Sequence, residues 1–310
     1  MQKDAVIYLA GHSGMVGSAI LRTLKGAGFK NIVTRTSKEL DLRDRGAVDT
    51  FFEAEKPEYV FLAAAKVGGV LANETQGGDF IRDNLLIQTH VIDAAYRNGA
   101  TKLLFLGSSC IYPKYSEQPI KEEAILTGEL EPTNLPYALA KISGKVMCDS
   151  YRRQFGFDAF TVMPSNVYGI GDNFDPENSH VVAGLMRRFH EAKLSGAPEV
   201  VAWGTGTPMR ELVYCDDLAE ACVYAMEHYH NGGMINAGTS QEWSIKQITE
   251  MMAKITGYAG KIIWDSSKPD GTPRKIMDNS KLHALGWSHR VDLEDGLVRM
   301  YQWYRDNINS

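Results

Sequence analysis

The sequence predicts an α/β fold, a doubly wound parallel sheet followed by a smaller C-terminal α/β lobe. Short apolar runs ending in glycine or serine alternate with amphipathic helical stretches through the first half of the chain, which is the pattern of strands joined by crossover helices. Beyond residue 168 that alternation gives way to turn-dense segments. A glycine-rich turn lies directly between the first apolar run and the first helical stretch, as in sheets that bind a ligand at their carboxyl edge.

Taken in order, AVIYLAG (5–11) reads as a strand, and the pattern through Met15, Ile20, Leu21 and Leu24 as a helix stopping near Gly26 and Gly28. NIVTRT (31–36) is the second strand, GAVDTFFEAEK (46–56) a helix and EYVFLAAA (58–65) the third strand. A helix at 80–99 and the run KLLFLGSS (102–109) repeat the unit. The next helix starts at LPYALAK, with Asn134 suited to cap it and Pro136 to its first turn, and it runs towards Gly156. FDAFTVMP (157–164) is a further strand. The remaining helices are expected at 181–193, 214–228, 244–257 and 293–307. These elements divide into a nucleotide-binding unit over 1–170, with a return near 211–238, and a substrate-binding lobe over most of 171–310.

The chain has 310 residues and a formal charge of −5, without the basic face that a nucleic-acid binder needs to meet phosphate. Any anionic ligand must be met by local cations. No stretch approaches the roughly 20 apolar residues that span a bilayer, and the N-terminus lacks a signal-peptide pattern. The four cysteines show neither CxxC spacing nor the density of a secreted scaffold, so reduced thiols and a cytoplasmic location are expected.

Gly11-His12-Ser13-Gly14-Met15-Val16-Gly17 is GxxGxxG between strand and helix. Missing side chains there let backbone amides approach a pyrophosphate, to which the helix N-terminus adds partial positive charge. This makes the first unit a Rossmann-type nucleotide binder. At the end of the second strand, Thr34, Arg35, Thr36, Ser37 and Lys38 replace the carboxylate that selects NAD, a hydroxyl-rich cationic seat suited to the 2′-phosphate of NADP. Asp41 and Leu42 follow, placed to face the adenine.

Ser108 and Ser109 end the strand 102–109 at the carboxyl edge of the sheet, and Tyr137 and Lys141 share one face of the next helix. The three residue types suit carbonyl reduction. A reductase must hand a proton to the oxygen that hydride transfer turns into an alkoxide, and a tyrosine of pKa about 10 is poorly matched to neutral pH. Bringing it to about 7 takes roughly 4 kcal/mol, which an ammonium at about 4 Å supplies at an effective dielectric near 20. The expectation is that Lys141 tunes Tyr137 downwards while Ser108 holds the carbonyl.

A serine, a Tyr-xxx-Lys helix and an opening GxxGxxG together resemble the extended short-chain dehydrogenase/reductase family, over nearly the whole chain. GHSGMVGSAI, AAAKVGG, LGSSCIYPK, PYALAKISG, the DNF…NSH stretch, LMRRFHEAK, WGTGTPMRE and KPDGTPRK narrow the likeness to its GDP-L-fucose synthase branch. That resemblance implies an NADPH-dependent enzyme that inverts C3 and C5 of a GDP-4-keto-6-deoxy sugar and reduces C4. Its epimerising pair falls on Cys110 and His180. It also implies cofactor contacts at Leu106, Gly107, Ser108, Ser109, Tyr137, Lys141, Pro164, Ser165, Asn166, Val167 and His180, with the 164–167 segment facing the nicotinamide. GDP-sugar contacts fall on Arg188, Trp203, Arg210 and Asp270, with Lys275 close by, and pairing of the helices at 80–97 and 136–154 implies a homodimer. Cys148, Cys215 and Cys222 read as small buried hydrophobes and His190 as a surface residue.

The chain departs from the branch at Ser13 and Ser37, where basic residues are common, and at Ile170-Gly171, where Pro-His is frequent. Two other readings follow from the same residues. A dehydratase or 4-epimerase would recycle bound NAD, but dehydratases of this superfamily place Asp-Glu where Cys110-Ile111 stands. A non-catalytic dinucleotide sensor would commonly have lost the Tyr/Lys pair.

Overall fold

The structure, a computed structural model, describes residues 1–176, 179–267 and 270–308. Two of the undescribed residues fall in the DNF…NSH stretch and two in KPDGTPRK.

The first unit alternates β1 (Ile7–Ala10), α1 (Met15–Gly26), β2 (Ile32–Val33), α2 (Arg45–Glu55), β3 (Tyr59–Leu62), α3 (Val70–Thr75), α4 (Gly77–Arg97), β4 (Lys102–Leu106), α5 (Leu135–Phe155) and β5 (Asp158–Pro164). The chain then runs through β6 (Asn166–Tyr168), α6 (Val181–Ser195), β7 (Glu199–Trp203), β8 (Met209–Tyr214), α7 (Cys215–His228) and β9 (Met234–Ala237). It closes with β10 (Glu242–Ser244), α8 (Ile245–Thr256), β11 (Lys261–Asp265), β12 (Arg274–Lys275), α9 (Ser280–Ala284) and α10 (Leu293–Asn307).

The main sheet is parallel throughout, in the order β2-β1-β3-β4-β5-β9. Period-two alternation sends Ile7, Leu9, Phe61, Leu104 and Phe160 to one core, under α1 and α7, and Tyr8, Ala10, Val60, Leu62, Leu103 and Phe105 to the other, under α2 and α4. Both faces are therefore covered. The crossover from β2 past β1 to β3 makes a topological switch point, and the glycine turn sits there.

β8 is the centre of a second sheet, parallel to β6 and β12 and antiparallel to β10, while β7 and β11 form a separate parallel pair. Fully buried Glu211 of β8 ties this sheet together, accepting from the backbones of Ser240 and Met277 at 2.8 Å and from the Asn279 amide at 2.8 Å. Of the segment expected to return to the first unit, α7 and β9 pack on the main sheet, whereas β8 stays with the second.

Local signals explain the boundaries. Asp44 caps α2 through the Ala47 amide, Ser244 and Gln247 form a capping box on α8, and Gly156, Gly196 and Gly257 end their helices in the left-handed region. The second strand is shorter than expected. Only Ile32 and Val33 pair, because Thr34 gives its carbonyl to Arg35 and the next residues turn back through Thr36 and Glu39.

Candidate active site

Gly11, at φ +87°, abuts the end of β3, where a Cβ would come within 2.6 Å of the Ala64 nitrogen, and a Cβ on Gly17 would strike the Gly11 carbonyl. Those two glycines are demanded by packing. Gly14 is different: a Cβ there would meet only the Gly11 oxygen, at 3.6 Å, so the bare position leaves room beside the helix end. α1 starts with no side-chain cap and no acidic residue in its first turn. Its first amides are thus left for an anionic group, and a dinucleotide pyrophosphate fits them.

At the adenosine end the expected cationic seat is altered. The Arg35 guanidinium pairs with Glu55, donates to Thr34 and lies over Phe51, so much of its charge is compensated; Ser37 and Lys38 stay exposed. Asp41 is turned onto Arg43 at 2.8 Å and held well below the usual carboxylate range by it, and Leu42 is buried. His12, in the glycine turn, has a buried Nδ1 without a protein partner.

β4 ends at Leu106, earlier than expected, and Gly107 passes so close to Met163 that a Cβ would overlap its sulfur. Ser108 then caps a short turn, Ser109–Ile111. Its hydroxyl oxygen accepts from the Cys110 thiol at 3.1 Å. It also bears on the Tyr137 phenol, the ring of which stands edge-on to buried Phe80. Lys141, 3% exposed, donates from Nζ to the Leu106 carbonyl at 2.8 Å, and its ammonium lies 5.8 Å from the Tyr137 ring centre.

The tuning of this group differs from expectation. Burial pushes the Tyr137 phenol up, with the Cys110 charge adding to it and only the Ser108 hydrogen bond opposing. Lys141 is itself pulled down to about 8 by burial. A buried ammonium spent on a carbonyl does not overcome the desolvation of a buried phenol. Asn134, expected as a side-chain cap for α5, makes no cap hydrogen bond; its Oδ1 is buried without a partner and lines a cavity of about 50 Å³ beside Cys110.

Pro164 closes β5. The Ser165 hydroxyl is buried without a protein partner, while the Asn166 amide donates to the Glu211 carbonyl and Val167 packs on the larger core, so the latter two are committed to the β6–β8 pairing.

His180 opens α6, with 51% of its side chain exposed, and its Nδ1 lies 3.8 Å from Oδ1 of Asp172. Asp172 is buried; its Oδ1 accepts from the Asn173 amide and its Oδ2 has no partner. The carboxylate raises the imidazole above its ordinary value against partial burial. Asp172 was not among the expected site residues, since the spacing from 172 to 180 carries no periodic signal. Gly171, at φ +82°, lies against Met15 and Ser18, so this loop runs over the start of α1.

In the second lobe Arg188 donates to the Val201 carbonyl at 2.8 Å and sits 5.8 Å from the Trp203 ring, which is 63% exposed rather than a core aromatic. Asp270 accepts from the Thr205 amide and hydroxyl at 2.8 and 2.7 Å, and Arg210 donates to the carbonyls of Met209 and Thr272. Lys275 pairs in register with Arg210. His190 is not a surface residue: it is 6% exposed, with Nδ1 3.0 Å from the Tyr301 hydroxyl between α6 and α10. Cys148, Cys215 and Cys222 are buried. Among the described residues no helix is long and apolar enough to cross a membrane, and no group of three acidic, His or Cys side chains is placed to hold a metal ion.

The sequence profile of the NAD dependent epimerase/dehydratase family matches residues 7–238. GDP-L-fucose synthase 1 of Arabidopsis thaliana is 56% identical over 306 residues, covering 99% of this chain and 95% of its own. Among solved structures, MlghC, a GDP-mannoheptose C4 reductase of Campylobacter jejuni with NADP bound, is 39% identical, with 98% of this chain and 99% of its own aligned at a TM-score of 0.92. A GDP-L-fucose synthetase of Naegleria fowleri bound to NADP is 29% identical, covering 100% of this chain and 97% of its own, also at a TM-score of 0.92. The chain belongs to the NAD dependent epimerase/dehydratase family and, within it, to the GDP-L-fucose synthases.

Proposed function

We propose that this protein converts GDP-4-keto-6-deoxy-D-mannose to GDP-L-fucose at one site, first inverting C3 and C5 and then reducing C4. The observation that carries the reading is the Ser108 hydroxyl, which bears on both the Cys110 thiol and the Tyr137 phenol. A carbonyl held there has a proton donor for its oxygen and a proton acceptor for its neighbouring carbons around the same atom.

The ketone acidifies the hydrogens on both adjoining carbons, so a base and an acid besides the phenol are needed. Cys110 takes the proton, and His180, its imidazolium favoured by Asp172, returns one from the opposite face. NADPH, when bound, supplies the hydride that reduces C4. Tyr137 then protonates the C4 oxygen; its raised pKa keeps the donor form present, and Ser108 orients the oxygen. Lys141, its ammonium 5.8 Å from the ring centre, offsets the charge that develops near the phenol.

For the cofactor, the amides of residues 11–17 take the pyrophosphate, Arg35, Ser37 and Lys38 the 2′-phosphate, Asp41 and Leu42 the adenine side, and residues 106–109 and 164–167 the nicotinamide side. For the substrate, Arg188 and Arg210 meet the diphosphate and Trp203 offers a flat surface, with Asp270 and Lys275 beside them. Residues 1–170 with the return through α7 and β9 form the cofactor unit and the rest of 171–310, β8 included, the substrate lobe. Leu139 and Val146, exposed on α5, support pairing of α4 and α5 across a homodimer, and the location proposed is cytoplasmic.

The test is to incubate the protein with NADPH and the 4-keto sugar and identify the product by NMR. GDP-L-fucose is expected. Reduction with unchanged C3 and C5 would place the chain with the C4 reductases, and tightly held cofactor without net NADPH consumption would indicate an epimerase or dehydratase.

A further inference from the structure

We propose that Lys275 is the cation that activates Cys110, stabilising the thiolate that abstracts the proton. This rests on the reading of Cys110 as the epimerising base and assigns Lys275 a task beyond contact with the substrate.

The position of Lys275 is fixed several times over. Its strand pairs with β8, and the next residue, Ile276, gives its carbonyl to the Ile120 amide at 2.8 Å and its amide to the Gln118 side chain at 2.9 Å. Met277 is held by buried Glu211. The segment that follows Cys110 is therefore stitched to the one that carries Lys275. Both side chains line the 50 Å³ cavity, a space for one or two water molecules.

No hydrogen bond or salt bridge with a described residue claims the Lys275 ammonium. Glu131, which lines the same cavity, is paired with Lys114 at 2.9 Å, and Arg210 is held by two carbonyls. The groups that face the thiol are Ser108 from the β4 turn, Tyr137 and Lys141 from α5, and Lys275 from β12. Burial leaves the Cys110 thiol above its ordinary range, and Lys275 is the strongest of the influences that offset it, ahead of the Ser108 hydrogen bond and Lys141. The relation is mutual, for Cys110 is the leading influence that holds the Lys275 proton on against burial. Lys141 is a poor substitute, its ammonium being directed at the Leu106 carbonyl. A thiol in apolar surroundings without a facing cation stays protonated and inert.

The experiment titrates Cys110 in the full-length protein, from ultraviolet thiolate absorbance taken as the difference from Cys110→Ser, and measures solvent deuterium entry at C3 and C5 of the keto sugar. In Lys275→Met the thiol titration is expected to move up by at least about one pH unit, with deuterium entry falling about tenfold. Lys275→Arg, which keeps the charge, should restore most of both. An unchanged titration with a raised KM would overturn the proposal and leave the ammonium as a phosphate contact. Equal shifts in Lys275→Met and Lys275→Arg would overturn it too, by showing that structure rather than charge was lost. Undiminished exchange in Cys110→Ser would instead remove the base itself, a failure distinguishable from that of Lys275.

Discussion

Lys141 is 3% exposed and gives its ammonium to a single backbone carbonyl, whereas His180 leaves half its side chain in solvent and leans on a carboxylate 3.8 Å away. Both belong to one proposed site, but the first stands on α5 among groups shifted mainly by burial, and the second at the start of α6, shifted mainly by a charged neighbour. Burial acts on stability and is insensitive to salt. A pair with only one member exposed, such as His180 with buried Asp172, is weakened by ions in part. The contrast tells which kind of perturbation each half should feel.

The largest effect is expected on the buried side. Tyr137→Phe should lower NADPH turnover by about 10³-fold, within the range for loss of a general acid, with NADPH binding retained when measured by fluorescence titration. Asp172→Asn probes the exposed side. Because the carboxylate raises the His180 pKa, the wild-type imidazolium persists to higher pH; without it, the descending limb of the exchange rate should move to lower pH, with about a tenfold loss near pH 8 and little near pH 6. High salt should erode the wild-type advantage, as rates in 1 M salt would check. Trp203→Ala should raise KM several-fold with kcat nearly constant, since the exposed ring is proposed to serve binding alone.

The smallest effect concerns stability. Lys141 is pulled down to about 8 in the folded protein from 10.5, so between those values the unfolded chain holds the Lys141 proton more tightly and this residue's own contribution to stability rises with pH, against the falling contribution of the buried thiols. Lys141→Met should lack that rise, whatever its absolute stability. Denaturation midpoints across pH 7–10.5 would separate the two proteins.

Much of the architecture was legible because it follows periodicity. α10 spans 293–307 as read, and the crossover pattern gave a parallel sheet. The convergence of Ser108, Cys110, Tyr137 and Lys141 follows from their places at a strand end and on one helix face. What sequence did not carry was the balance between opposing terms at a point in space. Lys141 was expected to draw Tyr137 down, but burial pushes the phenol up and only the Ser108 hydrogen bond opposes it. Arg35 was expected to stand free, but Glu55 from α2 neutralises it. His190 looked like surface until α10 packed over it, and Asp172 acquires a purpose only when the loop brings it to His180. Each of these depends on a residue distant in sequence or on an aperiodic loop.

The central claim is that proton exchange and reduction share one carbonyl but use different side chains. It is tested most directly by holding the Tyr137→Phe protein with the 4-keto sugar in D₂O and examining the recovered sugar by NMR. Deuterium at C3 and C5 with negligible NADPH oxidation is the predicted result; no deuterium, under conditions where the wild type incorporates it, would contradict the account.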